Sequence, residues 1–190
     1  MKISHKRMYL YVVTIFVVGL ICGLIFTNFL NEASREIVLM NVNEYLKNID
    51  FHNVNTILCH IIIISTLITL SIFIIGLIPL IIFIFYNGFS IGFIIVSLTN
   101  IFGIKGFLYA IIYCIITKLL YILLTIVIAV SLIKIIRLII GLILYKKEIR
   151  DSIFFIIRKV MILFLILIIN DLFLYFLATK LINIFNFLIF

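Results

Sequence analysis

From Ile72 to Phe107 the chain reads IFIIGLIPLIIFIFYNGFSIGFIIVSLTNIFGIKGF, a run of hydrocarbon that holds the only proline and five of the eight glycines. In lipid every backbone polar group must find its partner within the protein, so only helices and closed barrels cross. Helix-breaking residues survive there only where neighbouring helices or waters satisfy the groups they free. These breaks therefore mark where helices turn and where their backbones touch.

The rest of the chain repeats the same chemistry. Apolar residues make up 67% of the 190 and charged residues 12%, the composition of an integral membrane protein. Apolar runs at or above the roughly 18 to 20 residues that span hydrocarbon recur throughout, leaving no room for a separate soluble domain. The expected fold is an all-α integral membrane protein, a polytopic helical bundle of about five transmembrane helices forming one domain over residues 1–190. The formal charge of +8 lies beside hydrophobic spans, as on cytoplasmic flanks, so it argues topology and not nucleic acid.

Lys2, Lys6 and Arg7 precede an apolar run, 8–30, that has no small-x-small cleavage pattern and is expected to remain as the first span with a cytoplasmic amino terminus. The polar interval 31–56 follows, expected outside. Within it Val38, Val42, Tyr45 and Ile49 recur at helical spacing between polar residues, which predicts an amphipathic helix, either a connector at the interface or a docking element for an extracytoplasmic partner. The segment 134–159 carries Lys134, Arg137, Lys146, Lys147, Arg150, Arg158 and Lys159 against Glu148 and Asp151, and is expected in the cytoplasm. Reaching it from outside takes an odd number of crossings, and three fit: 57–76, 79–100 and 107–132. Gly76 and Pro79 are expected to form the inner turn, Gly103 and Gly106 the outer one. Residues 135–145, too short to span, suggest a surface-lying helix continuing from the fourth span, and 160–179 the fifth span.

No nucleotide, hydrolase or metalloprotease motif is present, and no catalytic, cofactor or metal residue is assigned. His52, Cys59 and His60 lack regular spacing and a fourth ligand, and read as interface residues. Cys22, Cys59 and Cys114 lie in or beside apolar runs, without zinc or disulfide spacing, and read as apolar fillers. Two GxxxG patterns, Gly19 with Gly23 and Gly88 with Gly92, are able to let another helix backbone approach closely. Lys118 and Asp171 are the two charges deep in expected spans, site candidates by default, and Asn87 falls mid-span, where an amide either pins helix packing or lines a polar path. Lys118 falls about 16 Å and Asp171 about 12 Å from the outer end at 1.5 Å per residue, so the two are expected to pair, with Asn87 close by.

At these residues the chain resembles the stage II sporulation protein M family. The matching motifs are Gly76-Leu-Ile-Pro79, Asn87-Gly88-Phe-Ser-Ile-Gly92-Phe and Gly103-Ile-Lys105-Gly106, with weaker matches at Gly23 to Asn28 and Ser131-Leu-Ile-Lys134. The chain departs from the family pattern where Asn87 replaces a basic residue, where Ile116, Thr117 and Lys118 replace a proline-containing element, and where Asp171 replaces a glutamate near Leu174. The resemblance implies a five-span, non-enzymatic scaffold of the cell membrane. Its implied role is to recruit cell-wall hydrolases, the sporulation proteins D and P, during forespore engulfment or a related envelope process. It leaves room for a homo-oligomer and implies no cofactor. A reading from a different class is a permease-like subunit working with a cytoplasmic ATPase, in which Asn87, Lys118 and Asp171 line a path.

Overall fold

The computed structural model describes residues 5–47, 54–70, 76–145, 150–178 and 180. Among the described residues six α-helices follow one another: α1 (His5–Phe26), α2 (Glu32–Lys47), α3 (Val54–Leu70), α4 (Leu77–Thr117), α5 (Leu119–Tyr145) and α6 (Arg150–Phe173), the last continued by a wider π turn, Leu174–Ala178. The same residues hold no strand. Four helical segments among them are long and apolar enough to cross a membrane, Lys6–Phe29, Leu77–Thr117, Leu119–Leu142 and Ser152–Leu177, and Ile57–Leu70 is a shorter apolar one.

The composition of these helices suits an environment without water. Hydroxyls of Thr14, Thr66, Thr117, Thr125 and Ser131 donate back to carbonyls in the preceding turn of their own helices, so each polar side chain is satisfied without leaving its helix. Large apolar side chains face outward on every long helix, Leu10 and Val18 on α1, Ile82 on α4, Leu123 on α5, and Leu165 and Ile169 on α6 among them. A bundle in water would bury much of that surface.

Close backbone contact between α1 and α4 organises the bundle. A Cβ added at Gly19 would fall on the Phe85 carbonyl oxygen, and one at Gly23 on that of Phe89. Reciprocally, Gly88 meets the Phe16 carbonyl and Gly92 that of Leu20. The two GxxxG patterns thus face each other, with glycine on both sides leaving room for carbonyl oxygens. Thr27 continues the α1 stripe four residues beyond Gly23 and is 1% exposed. Because residue numbers rise together across this contact, α1 and the first limb of α4, residues 77–102, run parallel. Any connection between two parallel helices must return, and α3 occupies that return.

Gly103 reverses the chain. In a straight helix Leu98 and Gly106 would stand about 12 Å apart, yet a Cβ at Gly106 would land on the Leu98 carbonyl. The reversal is made by the backbone of Gly103, at φ 61° and ψ −139°, a region essentially reserved for glycine. Leu98, Tyr109, Ala110 and Tyr113 then pack together across the hairpin. Its second limb, 104–117, continues past Lys118 into α5 with little interruption: Lys118 N donates to Cys114 O and Ile122 N to Lys118 O, each at 2.9 Å.

At the other end of α4, Gly76 precedes the helix at φ −63°, placing Pro79 in the first turn, where backbone N–H groups have no intrahelical acceptor and a missing one costs little. Residues 71–75, part of the expected second span, lie outside the described residues. The main core joins five helices through Val12, Ile64, Leu80, Ile84, Ala129 and Leu167. Residues 135–145 continue α5 without a break, and Ile135 and Ile136 are buried at 4% and 2% exposure. The last helix runs from Arg150, through the end of the basic segment.

Candidate functional site

Two places in the bundle carry side chains that packing alone does not require. The first is α2, whose first turn is fixed by Asn31: its side-chain oxygen accepts from Ser34 N at 3.2 Å and its carbonyl from Arg35 N at 2.9 Å. Such an amide ahead of the helix satisfies otherwise orphaned donors, and Glu32 in the first turn complements the helix dipole.

The helix lies over the hairpin of α4 and turns Val38 and Val42 inward. With Asn41 they line a cavity of about 380 Å³ whose far wall is Phe93, Ile94, Leu98 and Tyr113. Val42 also packs on the Leu98–Tyr113 cluster. The expected docking face is therefore partly occupied by the chain's own hairpin. Tyr45 lies on α2, but its side chain is outside the described residues, as is all of Ile49. What α2 presents outward is Glu36, Ile37, Met40, Asn41 and Glu44, with Ile37 59% and Met40 65% exposed. Sequence reasoning missed those two. Their signal was two apolar residues three apart on the otherwise polar side of an amphipathic pattern.

The second place is a polar cluster among α3, α5 and α6. His60 of α3 reaches Asp171 of α6 across 111 residues of sequence, with Nδ1 3.3 Å from Oδ2. The Asp171 side chain is 3% exposed and that of His60 28%. The ring of the buried Tyr121 of α5 lies against the imidazole at 5.1 Å between centroids. Asn170, the neighbour of Asp171, has a buried amide nitrogen with no hydrogen-bond partner among the described residues.

The expected trio of Asn87, Lys118 and Asp171 is thus redrawn. Asp171 is in contact with His60 at 3.3 Å, while Lys118 stands where α4 passes into α5. Asn87 instead donates from Nδ2 to the Phe83 carbonyl of its own helix at 2.8 Å, which explains how a half-buried amide is tolerated in α4. Among the described residues no group of three or more histidine, cysteine or acidic side chains is placed to hold a metal ion; His52 lies outside them. Cys22, Cys59 and Cys114 are free thiols.

Comparisons of the chain with protein families, with curated proteins and with solved structures found no match.

Proposed function

We propose that this chain is a multi-pass scaffold of the cell membrane, with its amino terminus and the basic segment 134–159 in the cytoplasm, that offers α2 on the outer face to a cell-wall hydrolase complex. The observation that carries the reading is the pair Ile37 and Met40, exposed on a helix that is otherwise polar on that side. Exposed apolar residues rimmed by charge are typical of protein contact sites. The underlying packing of Val42 on the hairpin holds α2 in place, so the surface is presented ready-made and a partner spends little free energy ordering it.

The resemblance to the stage II sporulation protein M family supports the class of partner, wall hydrolases such as the sporulation proteins D and P, and a role in envelope remodelling without chemistry of its own. The parallel course of α1 and residues 77–102 favours the five-crossing topology, because it requires α3 to return across the layer. The distribution of basic residues favours its orientation.

Purifying the full chain with its partners from envelopes tests the reading: a wall hydrolase should co-purify, and Ile37→Ser with Met40→Ser should lose it. A second reading, a permease-like subunit driven by a cytoplasmic ATPase, is favoured by the contact of His60 with the buried Asp171. Recovery of an ATPase in place of a hydrolase would establish that class instead.

A further inference from the structure

The cavity between α2 and the α4 hairpin, about 380 Å³ in volume and only partly enclosed, is as large as many small-molecule sites. Apart from Asn41 and Tyr113 its wall is made of valine, leucine, isoleucine and phenylalanine. A water molecule settles in a cavity where it finds about two to four polar partners, and this wall offers few. Hydrocarbon is the occupant that such a surface accepts.

Depth brings lipid tails to the same place. Leu98 stands five residues before the turn at Gly103 and Phe93 ten, so the cavity lies about 8 to 15 Å below the tip of the hairpin. On the topology proposed above, that tip and the exposed Lys105 beside it are at the outer surface. The cavity then falls within the outer half of a hydrocarbon layer about 30 Å thick, where the acyl chains of outer-leaflet lipids lie.

The charges of α2 are sorted to suit such a ligand. At about 100° per residue, Arg35 comes within about 20° of Val42 and about 60° of Val38 around the helix, on the side that meets the cavity. Residues three apart on a helix are neighbours, so the half-buried Arg35 stands next to Val38 on the wall. Glu32, Glu36 and Glu44, all exposed, lie at least about 120° around from Val38. The charged residue of α2 nearest the cavity is therefore positive, and the acids are turned away.

We infer that the cavity is a phospholipid site, in which one acyl chain of an outer-leaflet lipid lies between α2 and the hairpin while the Arg35 guanidinium holds its phosphate. The planar guanidinium pairs with phosphate oxygens through parallel N–H donors. The exposed Ile37 and Met40 are on the opposite side of α2, so the lipid fills the space beneath the helix and does not compete for its outer surface.

The test places the full chain in phosphatidylcholine vesicles with a trace of one of two probes, a phosphatidylcholine or a diacylglycerol, each carrying the same photoreactive diazirine on one acyl chain. After illumination, mass spectrometry reads the label at Phe93 and Tyr113 on the cavity wall and at Leu165 and Ile169, exposed on α6, which report bulk lipid. Relative to the α6 label, the phosphatidylcholine probe should exceed the diacylglycerol at Phe93 and Tyr113 by about five-fold, the worth of one basic residue near a membrane surface. Arg35→Gln should bring the two probes together, and Val38→Trp, which fills the cavity, should remove the label from Phe93 and Tyr113 alone. Label confined to α6, or a cavity label undiminished in Val38→Trp, overturns the site while leaving the membrane reading intact. Equal labelling by the two probes on the unaltered chain overturns the phosphate contact and needs no variant to fold.

Discussion

Gly88 of α4 lies so close to Phe16 of α1 that a single added methyl group would land on the Phe16 carbonyl oxygen. Gly19, Gly23 and Gly92 are held against backbone in the same way, so no flexible side chain is available to yield. Replacing any of the four with alanine should force α1 and α4 apart. Overpacking of this kind costs about 1 to 3 kcal/mol, enough to lower thermal stability measurably in detergent. Gly88→Ala combined with Gly19→Ala should add less than the sum of the two, because once the helices separate the second methyl meets a gap.

Gly103 fails for another reason. Nothing lies within 4 Å of a Cβ placed there, yet its φ of 61° opposes any side chain. Gly103→Ala should cost roughly 1 to 3 kcal/mol through backbone strain while leaving the α1–α4 contact intact. Cross-linking between cysteines introduced at Phe16 and Phe85 should form in Gly103→Ala and weaken in Gly88→Ala.

His60 and Asp171 should behave as an energetic pair. His60→Leu strands a buried carboxylate and Asp171→Leu strands the imidazole, whereas the double replacement removes both. A double-mutant cycle on folded yield or unfolding free energy should give a coupling of about 0.5 to 3 kcal/mol, near the low end if the unfolded chain finds other partners in lipid. Asn87→Leu should change stability by about 0.5 kcal/mol or less, because its amide answers only the Phe83 carbonyl, which already has its helical partner.

Sequence alone made much of this architecture legible, and its omissions have physical causes. Gly76, Pro79 and Gly103 announced the ends of helices because few residues tolerate those positions in hydrocarbon. The GxxxG pairs announced close approach, but the motif does not name its partner, and only the folded chain matches Gly19 and Gly23 with Gly88 and Gly92. Depth suggested Lys118 as the companion of Asp171, and depth also contained the better answer. His60 lies 6 residues inside α3 and Asp171 lies 7 residues before Ala178, or about 9 and 10 Å from the same end. The histidine was overlooked because it stood near an expected interface. Val38 and Val42 showed that α2 has an apolar face, but periodicity cannot say whether such a face meets a partner or the chain's own hairpin. Residues 135–145 continue the fourth span in one rod, but their pattern does not say that Ile135 and Ile136 enter the core.

Topology follows from the same relations. Asn41 on α2 and Lys105 beside the hairpin turn are exposed, and the account puts both outside the cell membrane, with the exposed Ser152 at the start of α6 inside. Single cysteines at these positions, in a background lacking Cys22, Cys59 and Cys114, should divide accordingly. An impermeant thiol reagent added to intact cells should label positions 41 and 105 and should reach 152 only after the membrane is opened.

The central claim, that α2 is the surface through which the bundle recruits an extracytoplasmic partner, is tested most directly by a photo-activated cross-linking residue in place of Met40, whose side chain is 65% exposed. Illumination of intact cells followed by mass spectrometry of the adduct should recover a cell-wall hydrolase or a member of its complex, and the adduct should disappear when Ile37→Ser is added. Capture of lipid alone from position 40, or of a hydrolase that persists undiminished in Ile37→Ser, would contradict the account.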